Sequence, residues 1–250
     1  MNVRLPSTRF DVVCTPGDYG FMSTRTFARL SGLVGLIGVI MQMVSYRINP
    51  GPPQANPTHA QLVAFGLAYH TQIMVGGWLQ AVGSTLCIAF ALALVHLADA
   101  TKRYAGTLTL YGGLLLTATS VVETAFYFTA ATSVQATTPL ISLDLIHALQ
   151  RMYFVVTAPA VFFPLGHIIL SRQSIRTLPR AYGYAALALA ILFVALGVAD
   201  LFVQLQAVDD VVGSIQGVWW LLAAIALLMR SGKFAATATQ QRSEPEPALA

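Results

Sequence analysis

Long apolar runs alternate with short polar joins along almost the whole chain. A helix needs about 20 mostly apolar residues to cross a bilayer. Six runs meet that need, at about 30–46, 73–95, 106–131, 143–170, 182–205 and 211–229. The Pro- and Gly-rich join 49–57 cannot be helical. Thr58 follows it as a predicted N-cap, and the helix it opens runs to about Ala98. That helix is longer than a bilayer core, so Ile73–Val95 is placed in the membrane and Thr58–Gln72 in the headgroup region or above it. Asp99–Tyr104 reads as a polar turn, 131–142 as an uncharged Ser/Thr-rich loop, and 171–180 as a basic loop. Pro159 and Pro164 predict a kink in the second half of the fourth run.

The pattern predicts an all-α fold, an integral membrane bundle of six transmembrane helices. One membrane domain covers 29–231, with a polar tail at 1–28 and a tail at 232–250 whose Ala/Thr/Gln and Ser-Glu-Pro composition predicts disorder. Composition agrees. The chain of 250 residues is 56% hydrophobic and 10% charged, with mean hydropathy +0.67, whereas soluble domains carry about 25% charged residues. Residues 1–28 lack the apolar core of a secretory signal, and Met22 is an alternative start.

Charge sets the orientation. Arg4, Arg9, Arg25 and Arg29 precede the first span, Lys102 and Arg103 join the second to the third, Arg172, Arg176 and Arg180 join the fourth to the fifth, and Arg230, Lys233 and Arg242 follow the sixth. All lie on one side of a six-span plan. Arg47 stands on the other side, and Arg151 lies within a span. The positive-inside rule then places both termini in the cytoplasm. Topology accounts for the net charge of +4, so no nucleic-acid partner is implied. The basic face instead attracts anionic lipid headgroups, at about 1 kcal/mol per residue near the surface. Membrane lipids are therefore the expected partners. Ser31, Gly35 and Gly38 give the first span a small-residue face, suited to a homodimer or to packing within the monomer.

The candidate chemistry lies in polar residues inside the spans. Charges there are costly and normally face the bundle interior. Gln42, His70, Glu123, His147 with Arg151, Asp200 and Gln216 place a polar group from every span at about one level, towards the outside. Thr119, Ser120, Glu123 and Tyr127 share one helix face, Asp144, His147 and Arg151 another, and Gly197, Asp200 and Gln204 a third. The expected site is an outward-facing polar pocket of Glu123, Tyr127, His147, Arg151, Asp200 and Gln216, binding or transporting a small polar or amphiphilic molecule. The bland alternative is mutual neutralisation that sets helix register. An enzymatic alternative uses Glu123 and Asp200 as acid and base on a lipid-like substrate, with Tyr127, Trp219 and Trp220 stacking on a cation. For the tryptophans, packing or lipid contact is preferred. A membrane scaffold is a further reading.

No cofactor is predicted. Haem b is the alternative, with His70 and His147 as one pair of ligands and His96 and His167 as another. No metal motif, P-loop, GxSxG elbow or HExxH motif occurs. A retinal Schiff base needs a buried lysine, and Lys102 and Lys233 both flank loops. Cys14 and Cys87 lack the spacing of a redox or zinc pair.

The tract 166–183 runs glycine, apolar, serine and basic, proline, basic, glycine. It resembles the join between late spans in a family of small bacterial multi-pass proteins of unknown function, similar in length and six-span plan. The resemblance implies a bacterial inner-membrane protein, and it brings no activity and no catalytic residues.

Overall fold

The computed structural model describes residues 22–50, 58–132, 138–171, 178–200, 202 and 206–243. These residues form α1 (Thr24–Ile48), α2 (His59–Leu97), α3 (Tyr104–Thr132), α4 (Thr138–Met152), a π-helical turn (Tyr153–Thr157), α5 (Ala158–Leu170), α6 (Arg180–Ala199) and α7 (Gln206–Ser243). Six helical segments are long and apolar enough to cross a membrane, with α4, the π turn and α5 forming one of them. The fold is all-helical among the described residues, as the run lengths predict.

Local chemistry explains several boundaries. Thr58 caps α2 in a reciprocal box. The Gln61 N–H donates to Thr58 Oγ1 at 3.3 Å, and the Thr58 N–H donates to Gln61 Oε1 at 2.8 Å. At the other end of α2, Asp99 adopts the left-handed conformation (φ 50°), and the Ala100 N–H reaches back to Val95 O. The next helix crosses this turn closely. A Cβ on Gly106 would stand 1.9 Å from Ala100 O, so only glycine is accommodated.

Three boundaries differ from the expectation. α4 begins at Thr138, inside the expected loop 131–142, because Pro139 is tolerated in the first turn of a helix. α6 stops at Ala199 with Asp200 as its C-cap, although the fifth apolar run continues to 205. α7 runs through Ser243, into the expected disordered tail, where alanine and glutamine favour helix. Residues 244–250, like the tail 1–21, lie outside the described residues.

The spans pack as a closed ring in chain order, α1 against α2, α2 against α3, α3 against α4 and α5, α5 against α6, α6 against α7, and α7 back against α1. An even number of spans returns the chain to the end where it started. That end is termed proximal, and the end bearing the α1–α2 join distal. The small-residue face of α1 is taken up within this ring. Gly38 meets Gly83 of α2 backbone to backbone, Gly35 lies on the Phe90 ring, and Gly32 lies on Leu228 of α7. Gly166 and Gly183, the two ends of the 166–183 tract, face each other, and a Cβ on either would stand about 3 Å from the other's carbonyl.

Aromatic rings fill the centre of the ring of helices. Phe162 contacts Phe193, Trp219 and Trp220, while Phe90 reaches Trp220 and Tyr153 packs on Phe193. Trp219 and Trp220 are buried, and Trp219 Nε1 donates to Tyr182 O at 3.1 Å. Both pack within the bundle, and lipid contact is excluded by their burial. The lipid-facing surface is instead made of residues such as Leu33, Ile37, Leu114, Ile191 and Leu222.

Candidate functional site: a polar belt across the ring

Towards the distal side of the aromatic centre, buried polar side chains link one helix to the next. Gln42 Nε2 on α1 donates to Gln80 O at 3.1 Å and also to Ser84 Oγ on α2. Ser120 of α3 joins Ser84 at 2.9 Å. Gln80 Nε2 donates to Glu123 Oε2 at 2.9 Å, and Gln150 Nε2 of α4 donates to Glu123 Oε1 at 3.2 Å. The same Gln150 amide reaches Tyr127 OH at 3.3 Å. Glu123 is therefore buried (8% exposed) with each carboxylate oxygen held by a carboxamide from a different helix. No ion pair to Glu123 occurs among the described residues.

The next residues on α4 turn to other helices. Arg151 Nε lies 3.3 Å from Asp200 Oδ2 at the end of α6, with the arginine side chain 45% and the aspartate 12% exposed. Tyr153 OH donates to Gln216 Oε1 of α7 at 2.5 Å. Gln150, Arg151 and Tyr153 thus tie one short stretch to α3, α6 and α7.

The π turn makes this possible. Pro159 has no N–H to offer the Val155 carbonyl and its ring crowds that carbonyl. The chain widens by one residue, and the Ala158 N–H reaches Tyr153 O, five residues back. Such an insertion rotates all that precedes it by roughly 100° relative to α5. Neighbouring glycines fit the irregular backbone. A Cβ on Gly197 of α6 would lie 2.9 Å from Val155 N, and one on Gly112 of α3 would lie 2.4 Å from Ala160 O, the carbonyl freed by Pro164.

Five of the six expected site residues are therefore distributed over three contacts. Glu123 and Tyr127 meet at Gln150, Arg151 pairs with Asp200, and Gln216 holds Tyr153. His147 is half-buried and forms no hydrogen bond or ion pair with a described residue. Gln204 and the side chain of Asp144 lie outside the described residues. On α2 the belt residue is Gln80 rather than His70, which stands ten residues further along, ~15 Å away at helical rise, and is exposed. Gln80 and Gln150 were not among the expected site residues. The signal for Gln80 was its helical stripe with Ser84 and Cys87.

The histidines considered for haem have separate neighbourhoods. His96 packs edge-on against Phe27 of α1, and His167 is exposed beside Phe163. Among the described residues no group of three or more His, Cys, Asp or Glu converges as a metal site. Cys87 is a buried free thiol.

The ring of apolar helices and its internal polar belt define a multi-pass integral membrane protein. No protein-family model matches the chain, and no curated protein and no solved structure matches it.

Proposed function

We propose that this multi-pass membrane protein binds or transports a small polar or amphiphilic molecule in the polar belt, entering from the distal side. The observation that carries the reading is Glu123, a buried carboxylate held by two neutral amides and paired with no cation among the described residues. An acidic group at the centre of a span costs about 2.5–3.5 kcal/mol on insertion scales. Polar contacts between spans return only about 0.6 kcal/mol each on average. Holding helices in register is a weak reason to keep such a group, whereas a ligand that meets it supplies a strong one. The half-exposed Arg151 with Asp200 forms the mouth of the site, and Glu123 lies behind it.

The setting proposed is a bacterial inner membrane with both termini in the cytoplasm. The grouping of Lys and Arg at the proximal joins supports the orientation, and the resemblance of the 166–183 tract supports the membrane.

The test is to purify the protein in mild detergent and extract bound small molecules for mass spectrometry, beside Glu123→Gln. A polar or amphiphilic compound present in the unaltered protein and lost from an equally well-folded Glu123→Gln protein is the expected result. Identical extracts from the two proteins would sink the reading.

A further inference from the structure

We infer that Glu123 binds a single monovalent inorganic cation, a proton or an alkali ion, as part of the ligand set of the belt. The inference rests on the belt being a binding site and names what its acid is for. Among the described residues the belt holds three formal charges, and two of them cancel, because Arg151 lies on Asp200 at 3.3 Å. Glu123 keeps one uncompensated negative charge, since Gln80 and Gln150 are neutral.

The titratable groups nearest to it do not change that sum. Tyr46 of α1, Tyr127 of α3 and Tyr153 of the π turn lie within electrostatic range of the carboxylate, and all three are ordinarily neutral at neutral pH. Asp210 of α7 acts on Tyr46 and is exposed to solvent. His147 lies on α4 one turn before Gln150 and Arg151, and Asp200 of α6 is held by Arg151. A buried site with a charge of −1 is matched by one positive charge. A divalent ion would leave an excess of +1 in the same apolar surroundings.

The donor set agrees. A carboxamide turned end for end keeps its shape and replaces N–H by C=O. Gln80 and Gln150 now aim N–H groups at the bare carboxylate, and their own side-chain oxygens accept no hydrogen bond from a described residue. Turned over, they add two carbonyl oxygens to the two carboxylate oxygens and Tyr127 OH. Those five oxygens suit a hard cation. With a proton instead, the carboxylic O–H donates to one turned amide while the other amide continues to donate N–H. The site therefore has a matched arrangement both empty and loaded.

The experiment is labelling with a hydrophobic carbodiimide, applied to the intact protein in lipid vesicles and read by mass spectrometry of the peptide containing Glu123. The reagent takes the acid proton onto nitrogen while the carboxyl oxygen adds to its central carbon, so it reports a protonated carboxyl in apolar surroundings that the reagent reaches through the membrane. Asp200, paired with Arg151, serves as the comparison, and Glu123→Gln as the blank. Labelling at neutral pH that is lost as pH rises, and is unmoved when sodium or potassium replaces choline, assigns the proton. Labelling lost on adding sodium or potassium at constant pH assigns the alkali ion. No labelling at neutral pH, or labelling indifferent to both pH and salt, overturns the inference. In that case, loss of a bound compound from Glu123→Gln would still uphold the belt as a binding site, so the two failures are distinguishable.

Discussion

Glu123 shows how one residue fixes what its neighbours need. Gln80 and Gln150 each direct an amide N–H at it, so removing the acceptor strands two half-buried donors at roughly 1–3 kcal/mol each. Glu123→Leu is expected to lower stability by about 2–5 kcal/mol, measured as thermal unfolding in detergent. Glu123→Gln keeps an acceptor and should stay within about 1 kcal/mol of the parent. Equal losses for the two variants would show that charge, rather than hydrogen bonding, holds the site. Glu123 itself was legible in the sequence, because an acid inside an apolar run is conspicuous. Its partners were less so, Gln80 showing only as part of a polar stripe with Ser84 and Cys87. Glutamine is uncharged, and Gln150 is adjacent to Arg151 on a face about 100° away, so a stripe drawn through His147 and Arg151 passes it by. Nor does that stripe show that Arg151 turns to α6, where it pairs with Asp200.

At the scale of the element, the irregular fourth span decides which helices the belt connects. Pro159 and Pro164 announced a kink, but a proline does not reveal that the chain answers with an extra residue in the preceding turn. The π turn depends on backbone space that Gly197 and Gly112 leave open, a property of neighbouring helices that no local pattern encodes. Gly112→Ala and Gly197→Ala are therefore expected to destabilise by ~1–3 kcal/mol through overpacking against backbone atoms. Gly217→Ala on α7, where a Cβ meets nothing within 4 Å, should be neutral or stabilising by up to about 1 kcal/mol. Thermal denaturation of the three variants side by side tests the contrast. A similar response in all three would mean that the close contacts are not what constrains these positions. Helix ends were the least legible feature of the elements, as Asp200 shows, because apolar residues follow it in sequence although α6 has ended.

For the whole molecule, the number of spans followed from run lengths and short joins. The closing contact between α1 and α7 did not, since it joins residues about two hundred positions apart, as in Arg29 Nε to Ser231 Oγ at 3.3 Å. The proposed orientation predicts which loops face outward. With Cys14 and Cys87 first replaced, Ala64→Cys on the exposed distal part of α2 should react with a membrane-impermeant maleimide in intact cells. Thr101→Cys in the α2–α3 turn should react only after permeabilisation. The reverse pattern would turn the molecule over. The shortest span carries one more consequence. α6 begins at Arg180, ends at Ala199 and is followed at once by Asp200, giving ~30 Å between two charged rims. Other spans have residues to spare and can meet a thicker bilayer by standing more upright, but α6 has none. Hydrophobic mismatch would draw the Arg151–Asp200 pair into hydrocarbon, at a cost of fractions of a kcal/mol per Å. The Arg151–Asp200 pair would thereby register membrane thickness, and the length of α6 suits a hydrocarbon layer of about 30 Å.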